Sequence, residues 1–501
     1  MKDIIFGLET EYAFTGRYLG SRSYKKAINE NDLASHLDSF FEKLLNSRFV
    51  TSSKRLGRND SVISSHDYFW QKNGAKIYYD MEHIEYSTPE CRTPEELIIY
   101  DKAGMRILEE IRGLLQKDLE GKIKIIILKN NVDSRGNSYG SHESYLVAKR
   151  VRFEREPILS WLVPFFVTRP IYAGSGRVVI DSKERELRYN LSQRAFSILN
   201  DISRSAARDR GIIYIKSGCD YCGKNFRRLQ IVSGDSNMAD FSQFLKFGTV
   251  HLLIRALEKN SLKIDKNKIK FGESISTAIN KVSQDLTLED KIVISRGKKM
   301  TALEIQESYL EDMLKCFQQD RDFLVKKILR EWTRVLLALR KKDFDSLSFG
   351  YDAFIKLKLI EQFLRRAGLE WSDPERKILK ISEKNQGAVD KISAIDLFYH
   401  DINPEDGLYL KLEKSGQVKN LDINQNKKIM GAVFKPPKTR ANIRSRYLRV
   451  IDKLNNVESE INWHSISQKK PFEFKLNFPD PFCGRSELLE NKLRKLKRIN
   501  K

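Results

Sequence analysis

Asn73-Gly74-Ala75-Lys76-Ile77-Tyr78-Tyr79-Asp80-Met81-Glu82-His83-Ile84-Glu85-Tyr86-Ser87-Thr88-Pro89-Glu90-Cys91 is the stretch whose reading decides the fold. Asn73-Gly74 is a turn signal, and the β-favouring Ile77, Tyr78 and Tyr79 predict a strand behind it. Side chains alternate along a strand with period two, which puts Lys76, Tyr78 and Asp80 on one face. A cation, a phenol and a carboxylate then share a surface. His83 and Glu85 follow two residues apart, so about ten residues offer oxygen ligands for a hard metal, a phosphate partner and a candidate base. The plainer alternative is a solvated edge of an antiparallel sheet.

Upstream, residues 4–14 read as a first strand with Glu9 and Glu11 on one face and Leu8, Thr10 and Tyr12 on the other. Two carboxylates held together on a strand repel unless a cation lies between them. Asn31-Asp32 would cap a helix carrying the stripe Leu33, Leu37, Phe40, Phe41, Leu44 and Leu45. Residues 48–71 turn polar and read as a loop. Downstream, Thr93-Pro94-Glu95-Glu96 is a capping box with proline in the first helical turn, and the helix should run to about Lys117. Residues 122–128 form an Ile-rich strand that opens into a polar loop over residues 129–145. A strand pair is expected at residues 165–172 and 177–181, a further strand at 229–234, and helices at 241–257 and through most of 303–367. Strands bearing carboxylates in the first half and helices in the second make the class α+β. A large domain over residues 1–430 and a small C-terminal one over 431–501, containing Trp463, are expected.

The chain has 501 residues, 41% of them apolar, which suffices for a sizeable core. Its net charge of +23 calls for an acidic partner. No apolar run reaches the roughly 18 residues of a membrane span, and Met1-Lys2-Asp3 leads straight into a strand-like segment. A cytoplasmic protein without a membrane partner is expected. Five cysteines do not make a disulfide framework, and Cys219-x-x-Cys222 has no second pair to complete a zinc site. No nucleic-acid-binding module accompanies the basic clusters, so nucleic acid is not an expected partner.

Several carboxylates converging on one sheet face suit Mg²⁺-ATP, because Mg²⁺ takes hard oxygen ligands and bridges phosphates. Gly7-Leu8-Glu9-Thr10-Glu11-Tyr12, the span from Asn73 to Tyr86, Lys129-Asn130-Asn131, Tyr139-Gly140-Ser141-His142-Glu143, Leu191-Ser192-Gln193-Arg194, Arg227-Arg228-Leu229 and Gly234-Asp235-Ser236-Asn237-Met238 resemble, in order, the family of Pup ligases and depupylases. That family is related in fold to glutamine synthetase, so the resemblance implies a curved antiparallel sheet packed by helices. It further implies Mg²⁺ held by Glu9, Tyr78, Glu85, His142 and Glu143, ATP contacted by Lys76, Thr88 and Arg227, Trp463 closing over the nucleotide, and Asp80 as catalytic base. Lys76 stands where the family usually has arginine, which keeps the charge and loses the bidentate fork. Ser144 stands where asparagine is usual, and residues 216–224 depart from the family's acidic, His-containing loop.

Ligase and depupylase share this site. The opening Gly-Leu-Glu-Thr-Glu, Gly234 to Met238, Tyr399-His400-Asp401-Ile402 and Pro479-Asp480-Pro481-Phe482 look like a ligase, whereas Ser141, the Asp80-to-His83 spacing and Gly174-Ser175-Gly176-Arg177 look like a depupylase. The ligase reading is preferred. In it, ATP turns the C-terminal Glu side chain of an acidic Pup-like modifier into an acyl phosphate, and Asp80 frees the amine of a target lysine to attack. The alternatives are hydrolysis of the modifier's Gln amide or isopeptide bond and, more remotely, a non-catalytic basic nucleic-acid-binding protein.

Overall fold

The computed structural model describes residues 4–19, 28–50, 68–80, 83–133, 135–204, 210–215, 222–259, 271–294, 297–422, 425–454 and 457–499. Eleven strands of the first half concern the site: β1 (Phe6–Tyr18), β2 (Tyr68–Trp70), β3 (Lys76–Asp80), β4 (His83–Ser87), β5 (Ile123–Leu128), β6 (Ser141–Ala148), β7 (Arg177–Asp181), β8 (Glu186–Asn190), β9 (Asn200–Ser203), β10 (Gly211–Tyr214) and β11 (Phe226–Ile231). Nine of them form one sheet in the order β2-β3-β4-β1-β6-β11-β10-β9, with β5 paired to the far half of β1. Every pairing within it is antiparallel except β9 with β10.

β1 is the axis of this sheet. Its first half lies between β4 and β6, and Ala13 to Tyr18 then pair with β5. Burial alternates along it: Phe6, Leu8, Thr10, Tyr12 and Phe14 are buried, and Glu9 and Glu11 are not fully so. The buried face packs against two helices, Pro94–Asp118 and Asp240–Lys259. The first is capped by the Thr93 side chain, which accepts from the Glu96 N–H at 3.1 Å. Gly104 lets this helix close on the sheet, because a Cβ there would lie 2.4 Å from the Tyr86 ring. The 30–45 helix is capped by Asn29, two residues before the expected cap, through the Asp32 N–H.

Residues 165–172, expected as a strand, are helical: Ile158–Thr168 runs into Pro170–Ala173. A continuous apolar run fits a buried helix as well as a buried strand, and here length decides. The helical reading of the second half is observed in Ala302–Cys316, Phe323–Arg340 and Asp352–Arg366.

A second, smaller core contains Ile443, Tyr447, Leu448, Ile451, Ile466, Phe474, Leu489, Leu493 and Leu496, whereas Ile429, Ala432 and Val433 belong to the main one. Trp70 of β2 is built into this second core, and its indole N–H donates to the Ile461 carbonyl at 3.0 Å. Between the cores, the buried Glu90 carboxylate takes Arg440 Nε at 2.6 Å and Arg444 Nη1 at 3.0 Å. Burial pushes Glu90 up, but the two guanidinium groups prevail and hold it at about 2. The C-terminal unit is therefore anchored by ions as well as by apolar contact.

Candidate functional site

The face of the sheet opposite the helices is organised by register. Trp70 pairs with Lys76, Lys76 with Ser87, Ser87 with Glu9 and Glu9 with His142. A second row runs Tyr68, Tyr78, Glu85, Glu11, and Asp80 opposes His83 beyond it. Directly opposed residues share a face, so four strands, β1, β3, β4 and β6, deliver Lys76, Tyr78, Asp80, His83, Glu85, Ser87, Glu9, Glu11 and His142 to one surface. Asn73-Gly74 makes the turn that aligns β3, with Gly74 at φ +86° and the Asn73 side chain donating to the Ala432 carbonyl at 3.0 Å.

Electrostatics divides these carboxylates. Burial raises Glu9, but His142, Arg228 and Ser87 outweigh it and hold the group at about 2. His142 Nδ1 lies 3.1 Å from Glu9 Oε1, and the Ser87 hydroxyl donates to Glu9 Oε2 at 2.8 Å. Glu11 is likewise held below its usual range: burial opposes this, and His83, with Nδ1 at 3.6 Å, and His142 bring it about. Glu85 goes the other way. Burial and then the neighbouring Glu9, Glu11 and Asp80 push it up to about 10. Burial and Glu9 raise Tyr78 further, so its phenol stays protonated.

A neutralised carboxyl beside ionised ones marks surplus negative charge, which a bound cation would relieve. Among the described residues no ready-made cage of His, Cys, Asp and Glu side chains exists. Mg²⁺ does not need one, because it keeps several waters and is held by one or two carboxylates together with phosphate. The oxygen donors Glu9, Glu85 and Tyr78 fit that requirement.

Three expected site residues are not brought to this face. Glu143 pairs with Leu8, so it points into the core. There Arg169 grips it through two bonds of 2.6 and 2.8 Å and Tyr145 donates to it as well. A carboxylate so compensated has no charge left for a metal. Arg227 also faces away, its Nη1 donating to both oxygens of Glu154 at 2.7 Å, while its neighbour Arg228 reaches Ser144 Oγ at 2.9 Å on the site face. The Thr88 hydroxyl is occupied by the Leu8 N–H at 3.0 Å, and Ser87 faces the site instead. Trp463 does adjoin the site: its ring stands edge-on to Trp70 at 5.0 Å and lies 5.8 Å from the Lys76 ammonium.

Several quoted motifs form a buried scaffold beside the site. The Asp235 carboxylate accepts from the Ser175 N–H at 2.8 Å, Ser192 Oγ at 2.9 Å, the Gln193 N–H at 2.9 Å and the Arg194 N–H at 3.1 Å. Gln193 Oε1 takes the Asn131 N–H at 2.7 Å, and Gln193 Nε2 meets His400 Nε2 at 2.9 Å. Ser87, Arg228 and Arg194 are the residues sequence reasoning did not single out; Arg194 is buried and lowers Glu11 through its charge. Adjacent arginines gave a signal, but alternation alone could not say which one faces the site. Cys222 is disulfide-bonded. Residues 51–67, 216–221 and Cys219 lie outside the described residues.

A family model described as Pup-ligase protein matches residues 4–467. The chain is 32% identical over 495 residues to a Pup–protein ligase of Acidimicrobium ferrooxidans, covering 98% of each. It is similar to the ligase in the crystal structure of the complex between the prokaryotic ubiquitin-like protein Pup and its ligase PafA, with a TM-score of 0.83 and 26% identity over 100% of this chain and 93% of that one. It is also similar to the Pup ligase PafA in complex with ADP, with a TM-score of 0.76 and 26% identity over 97% and 98% of the two chains.

Proposed function

This chain belongs to the Pup-ligase protein family, and on that premise we propose that it is an ATP-dependent ligase joining the C-terminal Glu side chain of a Pup-like modifier to lysines of target proteins. The observation that carries the reading is the surplus of carboxylate on one sheet face, with Glu85 pushed up to about 10 by burial and by Glu9, Glu11 and Asp80. Non-catalytic binding of a polyanion would not assemble it.

Glu9, Tyr78 and Glu85 would hold Mg²⁺, which when bound supplies charge neutralisation to the transferring phosphoryl oxygens. Lys76 adds a cation at the edge of this face. Ser87 and His142 fix the two Glu9 oxygens, which keeps that carboxylate oriented. Asp80 lies on the same face at the end of β3, opposite His83, and takes a proton from the incoming lysine ammonium so that its amine can attack the carbonyl carbon of the acyl phosphate made from the modifier's Glu side chain and ATP, the C–O bond to phosphate breaking as the isopeptide forms. In this reading residues 1–430 form the catalytic domain and 431–501 the smaller one, whose separate core supports the division. The +23 charge suits an acidic, largely unstructured modifier. No described helix is long and apolar enough to cross a membrane, and we place its action in the cytoplasm.

The test is incubation with ATP, Mg²⁺, a modifier ending in Glu and a lysine-bearing protein, followed by electrophoresis for conjugate. Conjugate is expected, and Asp80→Asn should lower its rate about 10²- to 10⁴-fold while leaving nucleotide affinity within about twofold. Cleavage of preformed conjugate without any ligation, or wild-type rates in the variant, would count against the respective assignments.

A further inference from the structure

Lys76 is 6% exposed, and its ammonium sits in a box of aromatic rings. The ring centroids of Tyr68, Trp70, Tyr78 and Trp463 lie 3.7, 4.8, 5.1 and 5.8 Å from Nζ. Tyr68, Trp70 and Tyr78 come from β2 and β3, and Trp463 from the C-terminal unit.

Two walls of the box are pinned from behind by a second cation. Arg444 Cζ lies 5.0 Å from the Trp70 ring and 4.9 Å from that of Trp463. This guanidinium is itself fixed, by Glu90 and by the Gly74 carbonyl at 3.0 Å. Trp70 is held besides by its bond to Ile461. Trp70, 1% exposed, therefore has little room to retreat from a larger occupant.

A compact ammonium suits such a box, because attraction to ring faces acts on the charge as a whole and does not use up N–H donors. A guanidinium is longer, planar and strongest in bidentate contact, and it would have to displace a pinned ring. We propose that Tyr68, Trp70 and Trp463 are positioning residues that adapt this nucleotide site to lysine at position 76, holding its ammonium where an anionic oxygen of the nucleotide meets the carboxylate face. The proposal rests on the reading of that face as a Mg²⁺-nucleotide site.

It makes a counter-intuitive prediction: Lys76→Arg, which keeps the charge, should impair binding. Calorimetric titration of the full chain with ADP and Mg²⁺ tests it. Lys76→Arg should bind about tenfold more weakly than wild type, and Tyr68→Ala several-fold more weakly, since desolvated cation–π contacts are of that order. Combining the two removes the wall nearest the ammonium and makes room for the guanidinium, so the double variant should bind at least about threefold more tightly than Lys76→Arg alone. A purely structural role for Tyr68 predicts the opposite sign. The idea is overturned if Lys76→Arg binds like wild type, or if the double variant binds no better than Lys76→Arg. Should Lys76→Arg fail to fold, Trp463→Leu carries the test, and unchanged affinity there overturns the proposal too. Wild-type protein that does not bind ADP would instead overturn the nucleotide reading itself.

Discussion

Glu9 and Glu143 lie one step out of register on the paired strands β1 and β6, and that step puts them on opposite faces of the sheet. Glu143 finds Arg169 and Tyr145 and is fully compensated. Glu9 finds His142 and Ser87, with Glu11 and Glu85 nearby, and belongs to a group whose charge is not balanced. The same residue type, at nearly the same place, is structural on one side and available for chemistry on the other. Compensation, more than the presence of a carboxylate, separates the two roles.

The contrast is broken most directly at Glu143. Glu143→Gln leaves Arg169 buried without its counter-charge and should lower the unfolding free energy by about 3–5 kcal/mol, read from urea or guanidinium melts. A loss under 1 kcal/mol would mean that the core-side pair is not structural.

The matching change on the open face is Glu85→Gln. It removes the cost of keeping a buried carboxyl protonated, so metal-free stability near neutral pH should hold or rise while affinity for ADP with Mg²⁺ falls about tenfold or more. Its pH signature has a definite sign. The folded-state value near 10 exceeds the ordinary 4.5, so the folded form keeps a proton that the unfolded chain has released. That contribution to stability is complete below about pH 4.5 and is lost as pH rises towards 10. Without divalent cations, wild-type melting midpoints should fall over this window and those of Glu85→Gln should fall less; parallel curves would contradict it.

The core face gives the reverse slope. His251 stacks on Phe6, with ring centroids 5.7 Å apart, and burial followed by the charge of Arg255 lowers it to about 3. Its stabilising contribution is therefore full above about pH 6.5 and is lost as pH drops towards 3. His251→Phe, which preserves the stacking, should flatten the acid limb of the stability curve, and an unchanged limb would assign acid unfolding elsewhere. The smallest effect is global: affinity for an acidic modifier should decline as salt rises from about 0.05 to 0.5 M, because screening shortens the reach of the +23 charge. A flat dependence in a binding titration would detach that charge from modifier recognition.

Much of the open face was legible in the sequence, since alternation within one strand groups Lys76 with Tyr78 and Asp80, and Glu9 with Glu11, whatever the fold. What alternation cannot supply is the register between strands distant in sequence. Arg227 and Arg228 differ by one position, and only the pairing of Arg228 with Leu146 decides which of them turns towards Glu9. Ser87 and Thr88 exchange roles for the same reason, because the antiparallel ladder sets Ser87 against Glu9 and ties Thr88 to Leu8. The helix at residues 158–168 was hidden by composition: nearly every residue is apolar, so no period stands out. The aromatic box was invisible for a further reason, since Tyr68 and Trp463 stand far apart in the sequence and meet only through the packing of the second core.

Trp70 joins two ends of the chain, and this sets a timetable for synthesis. Its indole hydrogen-bonds to a carbonyl 391 residues later, and the core that buries it is otherwise built from residues beyond position 440. At a translation rate of about 5–20 residues per second, the ribosome needs roughly 20 to 80 seconds to deliver that partner. During this interval edge strand β2 and its large indole have no native cover, so the nascent chain presents an apolar edge suited to a chaperone or to premature pairing with another copy.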